Sequence, residues 1–197
     1  MKKIILLPAL LFIGLAGLAQ KWAKEYTHVN EIFCGLSLVE KDGKHGYVNK
    51  DGKLIIPLIY DEGMNFTDGL AGVMVDNKWG FIDTTGKEIV KLQYSEVYSF
   101  SEGLAVVSKG ENWGFINRDG SIAIPLHYTN ALCFSSGLAP VCNAKMQWGF
   151  INREEKIIIP FQYAYADRFR EGIAKVMKSG KWMFIDPFGK TVKEGEE

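Results

Sequence analysis

Histidine and cysteine are scarce, three of each in 197 residues. Three cysteines, Cys34, Cys133 and Cys142, cannot build a disulfide scaffold, and none falls in the paired C-x-x-C spacing of a zinc site. Only Cys133 and Cys142 stand near each other, across a turn-like Ser-Ser-Gly, so they form the one candidate bridge. His28, His45 and His127 are isolated and lack the H-E-x-x-H spacing of a metalloprotease. An excess of charge is also missing, because 23 Lys and Arg balance 23 Asp and Glu. No net field draws in nucleic acid or an anionic membrane surface, so neither is an expected partner. After the first twenty residues no apolar run approaches the roughly 20 residues of a membrane span.

Phosphate-cradling G-x-x-x-x-G-K-[ST] and G-x-G-x-x-G loops are absent, and so is a G-x-S-x-G nucleophile elbow. With no convergent set of nucleophiles, bases or ligands, the expectation is a protein that is not an enzyme, with no catalytic residue, metal or cofactor. An enzyme with a site dispersed over loops remains the contrary reading.

The opening MKKIILLPALLFIGLAGLAQ has two lysines, an apolar run from Ile4 to about Leu15, and small residues at Gly17 and Ala19. That is the layout of a secretory signal over 1–19, with the mature chain starting at Gln20; a retained anchor is the alternative. The first cysteine is Cys34, so a lipid-modified cysteine at the cut is not expected. The expected location is outside the cytoplasm: periplasm, cell surface or medium.

What the chain has in abundance is self-similarity. Gly46, Gly80, Gly114, Gly149 and Met183 follow at steps of 34, 34, 35 and 34 residues. His45, Trp79, Trp113, Trp148 and Trp182 precede them, and Tyr26, Tyr60, Tyr94, Tyr128 and Tyr163 keep the same period. Gly35, Gly69, Gly103, Gly137 and Gly172 form another column, with Ile32, Phe66, Phe100, Phe134 and Phe169 three residues earlier. After a short segment 20–25, these columns divide the chain into units 26–59, 60–93, 94–127, 128–162 and 163–197. A constant period of this size marks a repeat architecture.

Within each unit the apolar stretches are short, rich in branched and aromatic residues, and bounded by Gly, Asn, Asp or Pro, which predicts strands. A unit reads as a three-stranded meander joined by hairpin turns, and it cannot hide its apolar face without a neighbour. The polar end TVKEGEE marks the fifth unit as a cap. The expected fold is all-β: an open, solenoid-like or twisted-ribbon array of five such repeats, with a five-bladed propeller-like ring as the alternative.

Asp51, Asp83, Asp119 and Asp186 flank the hairpin turns, where a calcium row and ordinary turn chemistry compete as explanations. Trp79, Trp113, Trp148 and Trp182 are the strongest candidates for a ligand-stacking column, such as platforms for sugar rings, against the alternative of a core ladder.

KWGFID at 78–83, NWGFIN at 112–117 and QWGFIN at 147–152, each with a Gly-Leu-Ala stretch upstream, resemble the WG (KWG) repeats of bacterial proteins. The resemblance spans Tyr26 to about Val192, and the first and fifth units depart from it at His45, Tyr47 and Met183. It implies non-catalytic β modules, often on exported proteins, and supplies no active-site residue. The expected function is exported binding or scaffolding, with one face of the array meeting a protein or envelope partner. The alternative is a carbohydrate or cell-wall binding module built on the Trp column.

Overall fold

The computed structural model describes residues 21–194. The candidate signal segment 1–19 lies outside the described residues. After a 3-10 turn at Lys21–Glu25, the chain folds into five sheets, each an antiparallel meander of four strands in chain order. The third sheet is representative, with strands at Glu96–Val97, Leu104–Lys109, Asn112–Asn117 and Ile122–Tyr128. The sheets begin just after each repeated Tyr, so Tyr60, Tyr94, Tyr128 and Tyr163 close one sheet and lead into the next.

The four-strand count adds one strand to the expected meander. Each connector after the Tyr pairs briefly with the following strand, as at Val107↔Val97 and Ser108↔Glu96. In the first unit this strand is fully developed, His28–Phe33.

Strand alternation sends side chains to opposite faces, and in the inner sheets both faces are covered. From the third sheet, Leu104, Val106, Trp113 and Phe115 enter the core shared with the fourth sheet. Ala105, Val107 and Ile116 enter the core shared with the second. Two-sided burial explains the unbroken apolar runs such as LAVV, which resemble the strands of sheets covered on both faces. Every core space has an aromatic pair at its centre. Tyr47 meets Phe66, Phe81 meets Phe100, Phe115 meets Phe134, and Phe150 meets Phe169, with ring centroids 4.8, 4.9, 5.0 and 5.1 Å apart.

Among the described residues, four such cores fill the spaces between five sheets. A closed ring of five would need a fifth. Among the described residues no core joins the fifth sheet to the first, so the array is open.

Glycine in the Trp-Gly pair answers a steric demand. A Cβ on Gly114 would lie 2.6 Å from the Ile124 carbonyl oxygen, and on Gly80 2.4 Å from that of Val90. The outer strand bulges toward it, with register shifts on either side of Phe115. In the fifth sheet the outer strand is short, Thr191–Glu194, and pairs directly as Met183↔Glu194, so a side chain fits there.

Candidate functional site

The Trp column is placed in packing positions. Trp113 and Trp148 are only 8% and 9% exposed, while Trp79 and Trp182 are half-buried. Trp113 stacks on Tyr98 at 5.9 Å, and Tyr165 lies between Trp148 and Trp182, at 6.1 and 5.6 Å. Protein therefore occupies the faces of the two inner rings, and any sugar-stacking role falls to the partly open Trp79 and Trp182.

The candidate bridge is not brought together. Cys133 packs on the core facing the third sheet, whereas Cys142 is buried in the core facing the fifth. The two thiols lie on opposite sides of one sheet and are free. Their nine-residue spacing looked like a hairpin pair in one dimension; strand alternation separates them.

The turn aspartates act locally. Asp83 Oδ1 accepts from the Thr85 hydroxyl at 2.6 Å and from the backbone N–H groups of Thr85 and Lys87. Asp119 Oδ1 accepts from the Ser121 hydroxyl and N–H, and Asp186 Oδ1 from the N–H groups of Phe188 and Lys190. The Thr85 and Ser121 hydroxyls hold the Asp83 and Asp119 carboxyls below the usual range. Asn49 Oδ1 receives the equivalent bonds from the Asp51 and Lys53 N–H groups. These are Asx turns.

The histidines are equally dispersed. His45 Nδ1 meets the Asp61 carbonyl oxygen, His127 Nε2 meets Glu155 at 2.8 Å, and His28 is exposed. Among the described residues no three His, Cys, Asp or Glu converge.

The arrangement that does assemble side chains from successive units is the row of connectors along one end of the sheets. Each connector ends in the same two-residue turn with both residues at positive φ, for example Glu102 at 52° and Gly103 at 81°. Asp68 and Gly69, at 53° and 78°, and Ser136 and Gly137, at 56° and 75°, repeat it. Two left-handed residues are what a tight hairpin with native twist requires, and glycine takes the second without a Cβ penalty. Flanking bonds fix the geometry: Ser101 N–H donates to Leu104 O at 2.9 Å and Leu104 N–H returns to Ser101 O at 3.1 Å.

Neighbouring connectors are tied together. Ser101 Oγ donates to Phe134 O at 2.8 Å, Ser135 Oγ to Phe169 O at 2.6 Å, and Asn30 Nδ2 to Asn65 Oδ1 at 2.8 Å. Arg118 and Arg153, from hairpin turns one unit further on, donate to the carbonyls of Asp68 and Glu102.

On this rigid row the residues just before the buried Phe differ in every unit: Met64-Asn65, Tyr98-Ser99, Leu132-Cys133 and Asp167-Arg168. Two clefts open there. One of about 210 Å³ runs across three units, lined by Tyr98, Leu132, Cys133, Asp167, Arg168 and Arg170. The other, about 440 Å³, continues past Asp167, Arg168 and Arg170 to Ile173, Lys175 and Phe184 on the fifth sheet. None of these lining residues stands out by residue type alone. Their signal is departure from the repeat, since cations at 168, 170 and 175 replace residues that are uncharged in units two to four.

The family profile described as WG containing repeat matches residues 46–79, 79–113, 113–145 and 148–182. No curated protein sequence matches the chain. Among solved structures, the chain is similar to the computationally designed Ika8 protein, at 12% identity and TM-score 0.55, covering 85% of this chain and 61% of that one. It is similar to Kluyveromyces lactis Hsv2p at 14% identity and TM-score 0.55, covering 84% and 63%. The WD40 beta propeller domain of Doa1 aligns at 11% identity over 88% of this chain and 69% of that one, at a TM-score of only 0.46. The chain thus spans about six-tenths of the length of the first two, and the likeness concerns the fold alone.

Proposed function

The chain belongs to the family of WG containing repeats, and from that premise we propose that it is an exported, non-enzymatic binding or scaffolding protein whose connector row contacts a protein partner of the cell envelope. The β-repeat structure fits a protein-interaction scaffold in general. The observation that carries the specific reading is the connector row. One backbone turn recurs with φ values within a few degrees, while the side chains beside it change from unit to unit. A scaffold held constant beneath variable residues that are half-buried or, at Tyr98 and Arg168, exposed is the arrangement of a recognition surface. The opposite end of the sheets carries short hairpin turns, such as Asp76-Asn77 and Gly110-Glu111.

Export is supported by the basic start, apolar run and small residues of segment 1–19. Terminal sequencing of protein recovered outside the cytoplasm is expected to begin at Gln20; recovery only from the cytoplasm with Met1 intact sinks the export reading. For the surface, a photo-crosslinking residue is placed at Tyr98 on the connector row and, separately, at Lys78 on the far end. A discrete adduct to the same envelope protein from Tyr98 and none from Lys78 is expected. Equal labelling from both ends, or none from either, refutes the assignment.

A further inference from the structure

In every space between sheets, the aromatic ring of one unit's central strand, Tyr47 in the first and Phe in the others, receives the connector Phe of the next unit. Phe81 receives Phe100, Phe115 receives Phe134, and Phe150 receives Phe169. Phe184 occupies the same position in the fifth sheet, on the face turned away from the core that Met183 and Ile185 join. Among the described residues no sheet packs on that face, and the 440 Å³ cleft lies there, lined by Ile173, Lys175 and Phe184 with Asp167, Arg168, Arg170 and Glu171 beside them. We infer that this cleft is a vacant copy of the inter-sheet socket, and that it binds an acidic polypeptide segment of a partner protein by taking in a phenylalanine side chain. The inference rests on the binding role proposed above and names the site and the class of partner.

Two observations favour an occupant over a plain cap. A cap needs only a polar face, and the outer strand Thr191–Glu194 has made that change. The central strand has not: Trp182 and Phe184 remain, and Ile173 stays 39% exposed at the cleft. The second observation is the direction of the charge change. Position 168 follows Asn65, Ser99 and Cys133 in the column, position 170 follows Thr67, Ser101 and Ser135, and position 175 follows Gly72, Val106 and Pro140.

All three become cationic in the fifth unit, with Lys175 Nζ 4.3 Å over the Trp182 ring, against two carboxylates in the cleft: Asp167, where Met64, Tyr98 and Leu132 stood, and Glu171, whose column already holds Asp68 and Glu102. Arg170 also takes the place of Ser101 and Ser135, whose hydroxyls donate to the carbonyl of the incoming Phe. A guanidinium can make the same donation to a carbonyl and a stronger one to a carboxylate.

A second copy of the chain is not the expected occupant. The first unit of a second copy would offer Ile32, not a phenylalanine, in the connector column.

The test uses the full-length protein and fluorescent synthetic peptides. One copies residues 96–105, EVYSFSEGLA, which carries Phe100 with Glu96 and Glu102; the other is the same peptide with Phe100→Ala. Saturable binding is expected from the first, weakened at least tenfold in the second and weakened several-fold by raising salt from 50 to about 300 mM. The exposed-site protein variants R170E and K175E, checked for unchanged melting, are expected to lower affinity at least fivefold. Amide NMR shifts should centre on Ile173, Lys175 and Phe184. No saturation at millimolar peptide, equal affinity for the Phe100→Ala peptide, or shifts centred elsewhere overturns the inference. Concentration-dependent self-association abolished by K175E overturns it too, in favour of a second copy. If Tyr98 crosslinking still captures a partner while the peptides fail, the binding reading stands and only this socket is lost.

Discussion

Truncating Phe115 to alanine removes a ring that is 0% exposed and 5.0 Å from Phe134 across the space between the third and fourth sheets. A buried Phe→Ala change costs about 3–5 kcal/mol, of which the edge-on aromatic pair supplies about 0.5–1.5 kcal/mol. Phe184 has the same position in its strand but is half-buried, with no ring pair described against it. Its truncation forfeits only part of the roughly 1.5–3 kcal/mol that full burial of a large side chain is worth, so about 1 kcal/mol. Equilibrium urea unfolding followed by tryptophan fluorescence measures both.

Because each unit contacts only its neighbours, the Phe115 change is expected to split the transition, with units one to three unfolding separately from four and five. Phe184→Ala should leave a single transition. A loss for Phe184→Ala equal to that for Phe115→Ala refutes the open end, since it requires the fifth face to be covered.

Gly114→Ala places a methyl 2.6 Å from the Ile124 carbonyl oxygen, and the strain should lower stability by roughly 1–3 kcal/mol; a neutral melting curve would mean the outer strand moves freely. Ser108→Ala removes a buried hydroxyl with no hydrogen-bond partner among the described residues. It should be neutral or stabilising by up to about 1 kcal/mol, and a loss larger than that on urea titration would reveal a missing partner. Burial raises the folded-state pKa of Tyr94 above its ordinary value. Below about pH 10 both folded and unfolded chains keep that proton; above it the unfolded chain releases it first, so stability falls as pH rises. The urea midpoint should drop between pH 10 and 11, and less steeply in Tyr94→Phe; parallel slopes contradict this.

The repeat columns and the strands were legible because each depends on residues close in sequence, copied at constant spacing. The fourth strand was not, since Glu62-Gly63, Glu96-Val97, Asn130-Ala131 and Tyr165-Ala166 are only two residues long and share no more than a small apolar residue in second place. Two-sided burial was also hidden. A unit read alone shows Phe115 as a core tooth but does not show that Ile116 is one as well, facing the preceding sheet. The pairing of the central-strand aromatic ring with the next unit's connector Phe joins residues 19 positions apart in each case, from Tyr47–Phe66 to Phe150–Phe169. Arg168, Arg170 and Lys175 look like ordinary surface charge until the other units are subtracted, and only the unfilled end of the array gives them a common place.

The central claim is that aromatic pairs fill the spaces between sheets and that the last socket is open. Fluorine NMR of protein labelled with fluorophenylalanine, with signals assigned through single Phe→Leu variants, measures this directly through broadening by a soluble paramagnetic agent. The account expects Phe81, Phe115 and Phe150 to be protected and Phe184 to be broadened, with the broadening relieved by the EVYSFSEGLA peptide. Equal protection of all four rings in the free protein would contradict it, because the fifth face would then already be closed.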